Sequence, residues 1–138
     1  MKNQTVTLED KNSKEFCVRD GEMAYAGIHL IIELWNARHL TSPSRIREIL
    51  IQAIERCGAT LLSIDLHIFS PNGGVSGVAV LQESHLSIHT WPEYHYAAID
   101  IFVCGTINPR LALDVLEKGF SPESIQVKEI KRGIGITP

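Results

Sequence analysis

The segment from residue 70 to residue 105 contains no lysine and no arginine, although the 138-residue chain carries 13 of them. A pyridoxal phosphate enzyme needs a lysine to carry its cofactor, and basic groups or helix-start amides to hold the phosphate. The chain also lacks a GxGxxG loop and a GxxxxGK[ST] loop, the usual phosphate-binding motifs of nucleotide sites. Chemistry located in this segment therefore depends neither on a lysine-bound cofactor nor on a nucleotide.

Other absences narrow the class of protein further. The formal net charge is −3 and no basic run with interleaved aromatics occurs, so we expect no nucleic-acid partner. Cys17, Cys57 and Cys104 are an odd number of cysteines without CxxC spacing. This argues against a disulfide scaffold and against a structural zinc site.

Long hydrophobic segments are missing as well. Residues 1–20 are charged and polar and contain no apolar signal segment. The longest apolar stretches, Gly27–Trp35 and Ala97–Cys104, are too short to span a bilayer, and each is interrupted by polar side chains. We therefore expect a cytoplasmic protein without a membrane partner.

The distribution of apolar residues predicts one domain over residues 25–138. Residues 1–24 are rich in Lys, Asp, Glu and Asn without periodicity, which is typical of a mobile arm. The apolar run Gly27–Trp35 predicts a strand. A helix follows it, because Ser42 can cap its start, an apolar stripe recurs every three to four residues, and Gly58 is a usual helix stop.

Alternating apolar and polar side chains predict most of the remaining strands. A second helix is predicted to begin at Asn108-Pro109 and to end at Gly119. The order of elements predicts an α+β fold, a two-layer sandwich of a mainly antiparallel sheet with two helices on one face. The other sheet face needs cover, for which a partner subunit is the simplest candidate. The predicted strands after the first helix are 62–69, 75–82, 85–90, 96–104 and 124–131.

The lysine-free segment can supply a reactive carbonyl from its own backbone. If Ser84 Oγ attacks the carbonyl of Glu83, the peptide bond becomes an ester, and loss of the Ser84 α-proton leads through dehydroalanine to a pyruvoyl group. The steps need a strained or polarised bond, donors for the oxyanion and a base for the α-proton. His89 can serve as that base if a turn folds it back, and the Ser76 hydroxyl is a candidate donor.

One continuous block makes this chemistry specific. The residues GVSGVAVLQESHLSIHTWPE at 74–93, followed by YAAID at 96–100 and Cys104-Gly105, resemble the prokaryotic S-adenosylmethionine decarboxylase proenzyme family. The resemblance is dense over about residues 66–105 and weaker elsewhere. It implies cleavage between Glu83 and Ser84, which gives a β chain of residues 1–83 and an α chain of residues 84–138.

The same resemblance implies roles for individual side chains. Ser84 becomes the pyruvoyl cofactor that binds the substrate amine, and no metal is required. His89 is the proton acceptor in processing, with Ser76 assisting, and Cys104 is the proton donor in catalysis. Phe69 matches an aromatic residue near the adenine site, and Glu93 matches a carboxylate in the substrate region. The family forms homodimers of αβ protomers, and its reaction turns S-adenosylmethionine into the aminopropyl donor for spermidine synthesis.

Three alternatives stay open at the level of sequence. The same chemistry could act on arginine or ornithine. The chain could be a non-enzymatic partner of an active homologue, although its Glu-Ser junction, His89 and Cys104 are intact. A metal site could form from His85 and His89, which share a strand face, together with His67 or Cys104.

Overall fold

A computed structural model of the chain describes residues 17–20, 23–69 and 71–137. The arm predicted over residues 1–24 lies mostly outside these residues. Its described part forms a short antiparallel hairpin of strands β1 (Val18–Asp20) and β2 (Met23–Tyr25). The mobility of the arm and the domain boundary at residue 25 therefore stay predictions.

Six strands form one sheet in the order β4-β5-β6-β7-β3-β8, and all neighbours are antiparallel. Each predicted strand boundary lies within one residue of the observed boundary, because an apolar run marks β3 and alternation of apolar and polar side chains marks most of the other strands. The bounds are β3 Gly27–Trp35, β4 Leu61–Ile68, β5 Val75–Leu81, β6 Ser84–Trp91, β7 Tyr96–Cys104 and β8 Ser124–Arg132.

Helix α1 (Pro43–Cys57) begins and ends where the sequence predicts. The Ser42 hydroxyl accepts a hydrogen bond from the Arg45 N–H at 3.3 Å, which caps the first turn. Gly58 adopts the left-handed conformation that ends many helices, with φ 79° and ψ 17°. The buried stripe of α1 consists of Ile46, Ile49, Leu50, Ala53, Ile54 and Cys57.

The second helical segment starts as predicted but ends later. A 3-10 turn (Pro109–Ala112) leads into helix α2 (Leu113–Phe120). The predicted stop at Gly119 is wrong, because Gly119 lies inside α2 and contacts α1. A Cβ atom at this position would lie 2.7 Å from the side chain of Ile49, so the glycine permits close helix packing. Ser121 ends the helix instead, with a φ of 46°.

The predicted α+β sandwich is confirmed: both helices cover one face of the sheet. Inward side chains such as Leu30, Ile88 and Ile101 are almost fully buried beneath them. The side chains that alternate with these point away from the helices, and we call the surface that they form the open face. Among the described residues, neither helix is long and apolar enough to cross a membrane.

Candidate active site

The Glu83–Ser84 junction lies in the tight turn that joins β5 to β6. Ser84 is the first residue of β6 and pairs with Leu81 across the turn. Its φ of 148° belongs to a region that residues with a side chain rarely adopt. Because such a conformation costs about 1–3 kcal/mol, the backbone at the predicted cleavage site is strained.

Both the side chain and the backbone carbonyl of Glu83 accept hydrogen bonds. The residue is only 3% exposed. The Thr60 backbone N–H and hydroxyl donate hydrogen bonds to its carboxylate oxygens at 2.9 and 3.3 Å. Its carbonyl oxygen accepts a hydrogen bond from the Cys104 backbone N–H at 3.1 Å. This donor polarises the carbonyl that Ser84 would attack, and it is placed to stabilise negative charge on that oxygen.

We expect Thr60→Val to destabilise the uncleaved protein. The substitution removes the hydroxyl that donates to the buried Glu83 carboxylate. Leaving one member of a buried hydrogen bond without its partner costs about 1–3 kcal/mol. Urea unfolding should be measured in a Ser84→Ala background, so that cleavage does not interfere. Thr137→Val, at an exposed position, is the matched control. Equal free energies of unfolding for both variants would contradict the role given to Thr60.

Cys104 is brought next to the junction by strand pairing. It ends β7 and follows Val103, which pairs with Ser84. A cavity of about 180 Å³ lies beside this strand end. Sites for small molecules usually enclose about 300–1,000 Å³, so this cavity alone is too small for a nucleoside-sized substrate. It is lined by Ile28, Val103, Gly105, Thr106, Ile107 and Asn108.

Asp100, in the middle of β7, is the centre of a hydrogen-bonded cluster on the open face. Its Oδ2 lies 2.6 Å from Nε2 of His29 and 3.3 Å from Nε2 of His85, and the Ser87 hydroxyl donates to Oδ1. Burial alone would raise the pKa of Asp100, but the hydrogen bonds from Ser87, His29 and His85 together hold it below its ordinary value. Asp100 is therefore an ionised acceptor.

This cluster extends to Ser84 on one side and to β8 on the other. The Ser84 hydroxyl oxygen lies 3.3 Å from Nδ1 of His85. The Arg132 guanidinium donates to Nδ1 of His29 at 3.4 Å and lies 4.7 Å from the centroid of the Phe102 ring. A continuous chain of polar contacts thus links the predicted cleavage site to a basic group at the sheet edge.

The other predicted site residues lie near the opposite end of β6. Ser76 and His89 are directly paired between β5 and β6, and the Ser76 Oγ lies 3.1 Å from Nδ1 of His89. Phe69 follows β4 and is 49% exposed, and its N–H donates to the carbonyl of Gly74. Glu93 lies exposed in the 3-10 turn that follows β6.

The structure therefore divides the predicted site residues into two groups. Glu83, Ser84 and Cys104 are together, whereas His89 belongs with Ser76. Strand β6 is continuous from Ser84 to Trp91, so no turn folds His89 back. Five residues of strand correspond to about 16 Å. Within one subunit, His89 does not reach the Ser84 α-proton.

Aromatic side chains at the His89 end were not predicted as site residues. The Tyr96 ring stacks on Trp35 and Trp91, with centroid distances of 4.4 and 5.3 Å, and its hydroxyl donates to the Glu33 carboxylate. Burial, followed by the contact with Glu33, raises the pKa of Tyr96 to about 12. The hydroxyl therefore stays a donor at neutral pH. Trp35 and Tyr96 are paired only across β3 and β7, which a local sequence pattern does not reveal.

The metal alternative takes a different form in the structure. His85 and His89 share a face, as predicted, but no described residue joins both of them in a ligand set. The described residues whose ligand atoms converge are His29, His85 and Asp100, with those atoms within 4.8 Å of one another. These atoms already hydrogen-bond to each other. His67 lies on β4, paired with a carboxylate there.

Comparison with known proteins identifies relatives over most of the chain. A sequence model of a family described as S-adenosylmethionine decarboxylase matches residues 28–133. The S-adenosylmethionine decarboxylase proenzyme of Methanococcus maripaludis strain C5 is 48% identical over 115 residues, which cover 81% of this chain and 93% of that protein. The proenzyme of the same name from Thermomicrobium roseum is 42% identical over 113 residues, covering 81% and 97%.

A solved structure supports the same relationship. The crystal structure of the adenosylmethionine decarboxylase from Aquifex aeolicus VF5 superposes on this chain with a TM-score of 0.73. The two sequences are 31% identical, and the alignment covers 81% of this chain and 94% of that one.

Proposed function

The chain belongs to the S-adenosylmethionine decarboxylase family, and from that premise we propose that it cuts itself between Glu83 and Ser84 and then decarboxylates S-adenosylmethionine. The main support for this proposal is the Glu83–Ser84 junction. Ser84 has a strained backbone, and the carbonyl of the preceding residue accepts a hydrogen bond from a backbone N–H. An ordinary hairpin turn requires neither feature. Cleavage leaves a β chain of residues 1–83 and an α chain of residues 84–138 that begins with a pyruvoyl group.

The cleavage follows from the groups at the junction. Ser84 Oγ attacks the Glu83 carbonyl carbon, and the Cys104 N–H receives the negative charge that develops on the oxygen. Collapse breaks the C–N bond and leaves an ester between Glu83 and the Ser84 oxygen. His89 of the partner subunit then takes the Ser84 α-proton, the Glu83 carboxylate leaves, and water converts the remaining dehydroalanine to the pyruvoyl group and ammonia.

After cleavage, decarboxylation of the substrate requires one further proton transfer. A pyruvoyl group supplies a carbonyl that condenses with the substrate amine and accepts the electrons released with CO₂. The Cys104 thiol, at the end of the strand that pairs with residue 84, returns a proton to the substrate carbon. The segment without lysine or arginine suits a cationic sulfonium substrate. The product is the aminopropyl donor that spermidine synthesis uses.

The complete site lies, in this proposal, between two cleaved subunits of a homodimer. Ser76 and His89 lie on the open face of one subunit, about 16 Å along β6 from the Ser84 junction at the other end of that strand. A twofold axis through that face makes each group meet the other group of the second copy. His89 of the partner subunit would then serve Ser84.

Mixing two inactive variants tests the shared site. Neither Ser84→Ala nor His89→Ala should be cleaved when it is expressed alone. In a mixed dimer, the His89→Ala chain keeps its Ser84 and receives His89 from the Ser84→Ala subunit. We expect the His89→Ala chain of every verified mixed dimer to be cleaved, which is up to half of all chains in those dimers. Mixed dimers, isolated with two different tags, that contain no cleaved chain would contradict a site shared between subunits.

The function itself is tested with the purified wild-type protein. We expect two fragments on a denaturing gel, the α chain resisting N-terminal sequencing because pyruvate has no amine. CO₂ release should then be measured with S-adenosylmethionine, arginine and ornithine as separate substrates. Turnover of arginine or ornithine without turnover of S-adenosylmethionine would overturn the substrate and leave the cleavage proposal intact. A single uncut chain after long incubation would instead favour a non-enzymatic partner of an active homologue.

Phe69→Ala tests whether the second group of residues binds the adenosyl moiety. Stacking of a base on an aromatic ring contributes about 1–3 kcal/mol, so we expect S-adenosylmethionine to bind about 5- to 150-fold more weakly. The loss should appear mainly in KM, because Phe69 would contact the adenine and not the carbon that reacts. Phe16→Ala, outside the family match, is the control. An unchanged KM for the Phe69 variant would remove Phe69 from the substrate site, with Glu93 left as the other predicted contact.

A further inference from the structure

The processing steps require two proton acceptors, and the assignment of His89 supplies only one. His89 is proposed to take the Ser84 α-proton, which is lost after the ester has formed. The earlier step, attack by the Ser84 hydroxyl, needs a base that contacts Ser84 Oγ itself. His85 is the described histidine in that position, with Nδ1 at 3.3 Å from the oxygen.

Asp100 determines which nitrogen of His85 carries the proton. An ionised carboxylate can only accept hydrogen bonds. Because Nε2 of His85 contacts Oδ2 of Asp100 at 3.3 Å, Nε2 must be the protonated nitrogen in the neutral ring. The lone pair therefore lies on Nδ1, and the Ser84 hydroxyl donates to it. Hydroxyl, imidazole and carboxylate thus form the relay in which a base activates an oxygen nucleophile.

The surroundings of Asp100 keep this relay in place. Ser87 and His29 occupy further acceptor positions of the carboxylate, so Asp100 cannot rotate away without losing three hydrogen bonds. The titratable and charged groups near His85 are Asp100 from β7, His29 from β3 and Arg132 from β8. On the side of β5, the paired residue is the apolar Val80.

We propose that His85 is the catalytic base that activates the Ser84 hydroxyl for cleavage, and that Asp100 is the residue that positions it. This inference rests on the proposed self-cleavage. The Ser84 O–H bond breaks and its proton moves to Nδ1 of His85 as Oγ bonds to the Glu83 carbonyl carbon. When the C–N bond breaks, the same proton passes to the departing amine nitrogen of residue 84. His85 thus ends the step neutral, and no other reactant is consumed.

Cell-free synthesis with timed sampling measures the cleavage rate of each variant from the moment that the chain is made. We expect His85→Gln to cleave roughly 10²–10⁴-fold more slowly than wild type, as for loss of a general base. Hydroxylamine should not split it, because no ester forms. His67→Gln, on an exposed histidine of β4, is the matched control and should cleave normally. Asp100→Asn should also be slow, and Asp100→Glu should recover part of the rate.

The outcomes separate this inference from the proposed function. If wild type does not cleave, the proposed function fails first. If wild type cleaves and His85→Gln cleaves within threefold of its rate, or yields hydroxylamine-labile ester, the role of His85 is overturned. Should His85→Gln fold poorly, His85→Ala with added imidazole decides: restored cleavage supports the base, and no restoration overturns it.

A metal on the same three side chains gives a different result. The relay requires the Nε2 proton of His85, so Zn²⁺ bound there would displace that proton and inhibit cleavage. We expect EDTA to leave the wild-type cleavage rate unchanged. Loss of cleavage in EDTA, with recovery on addition of Zn²⁺ alone, would replace the relay by a metal site of His29, His85 and Asp100.

Discussion

Ser84→Ala is expected to leave the purified protein as one intact chain without decarboxylase activity. Alanine has no oxygen to attack the Glu83 carbonyl, so neither the ester nor the pyruvoyl group can form. Because the cofactor itself is missing, the rate of CO₂ release should fall by roughly 10⁶-fold or more, to the uncatalysed level. Intact mass and radiolabelled CO₂ release measure the two effects on one sample.

The control for this variant is Ser63→Ala, which removes an exposed hydroxyl from β4. It should be cleaved and active like wild type. Decarboxylation by uncut Ser84→Ala protein would show that the carbonyl comes from elsewhere, and the assignment of Ser84 would have to be abandoned.

Cys104→Ala and His89→Ala are expected to fail at different stages. Cys104→Ala keeps the backbone N–H that contacts the Glu83 carbonyl, so it should still be cleaved. Without the thiol, decarboxylation should fall roughly 10²–10⁴-fold, as for loss of a general acid. The variant should also protonate the wrong carbon, which transfers the amine to the cofactor and inactivates the enzyme during turnover.

His89→Ala should instead stall before any substrate is bound. The ester between Glu83 and Ser84 can form, but its α-proton is not removed. The chain should keep its full mass, and hydroxylamine should release a fragment that ends at residue 83. Mass spectrometry with and without hydroxylamine distinguishes the two variants. Normal decarboxylation by Cys104→Ala together with normal cleavage of His89→Ala would contradict both roles.

The elements of the fold were predictable because their signals are local. Alternation along β6 and β7 placed His85 on one face and Ile101 on the other, and Ser42 and Gly58 set the ends of α1. The predicted end of the second helix at Gly119 was wrong, because a glycine within a helix can also allow a neighbouring helix to pack closely. A single sequence does not separate these two uses of glycine.

The site was predictable as a set of residues but not as an arrangement. The motif around Ser84 named His89, yet the continuous strand β6 keeps the two residues apart. His29 and Asp100 are 71 residues apart in sequence and meet only because β3 inserts beside β7. The spacing of residues along the chain does not predict which strands are neighbours in the sheet. The position of Asp100 in the relay could therefore be found only from the structure.

The strand order has a consequence for the cut protein. Strands β4, β5 and β3 precede the proposed break, and β6, β7 and β8 follow it, so three of the five pairings (β5–β6, β7–β3 and β3–β8) join one fragment to the other. Strands of the two fragments are interleaved in the sheet, and neither fragment forms a contiguous block of strands. The uncut chain forms these three strand pairings within one molecule, whereas separated fragments must meet by diffusion. Refolding of the cut protein from denaturant therefore depends on its concentration. In the precursor, by contrast, the two future fragments are already joined in one chain when their strands pair.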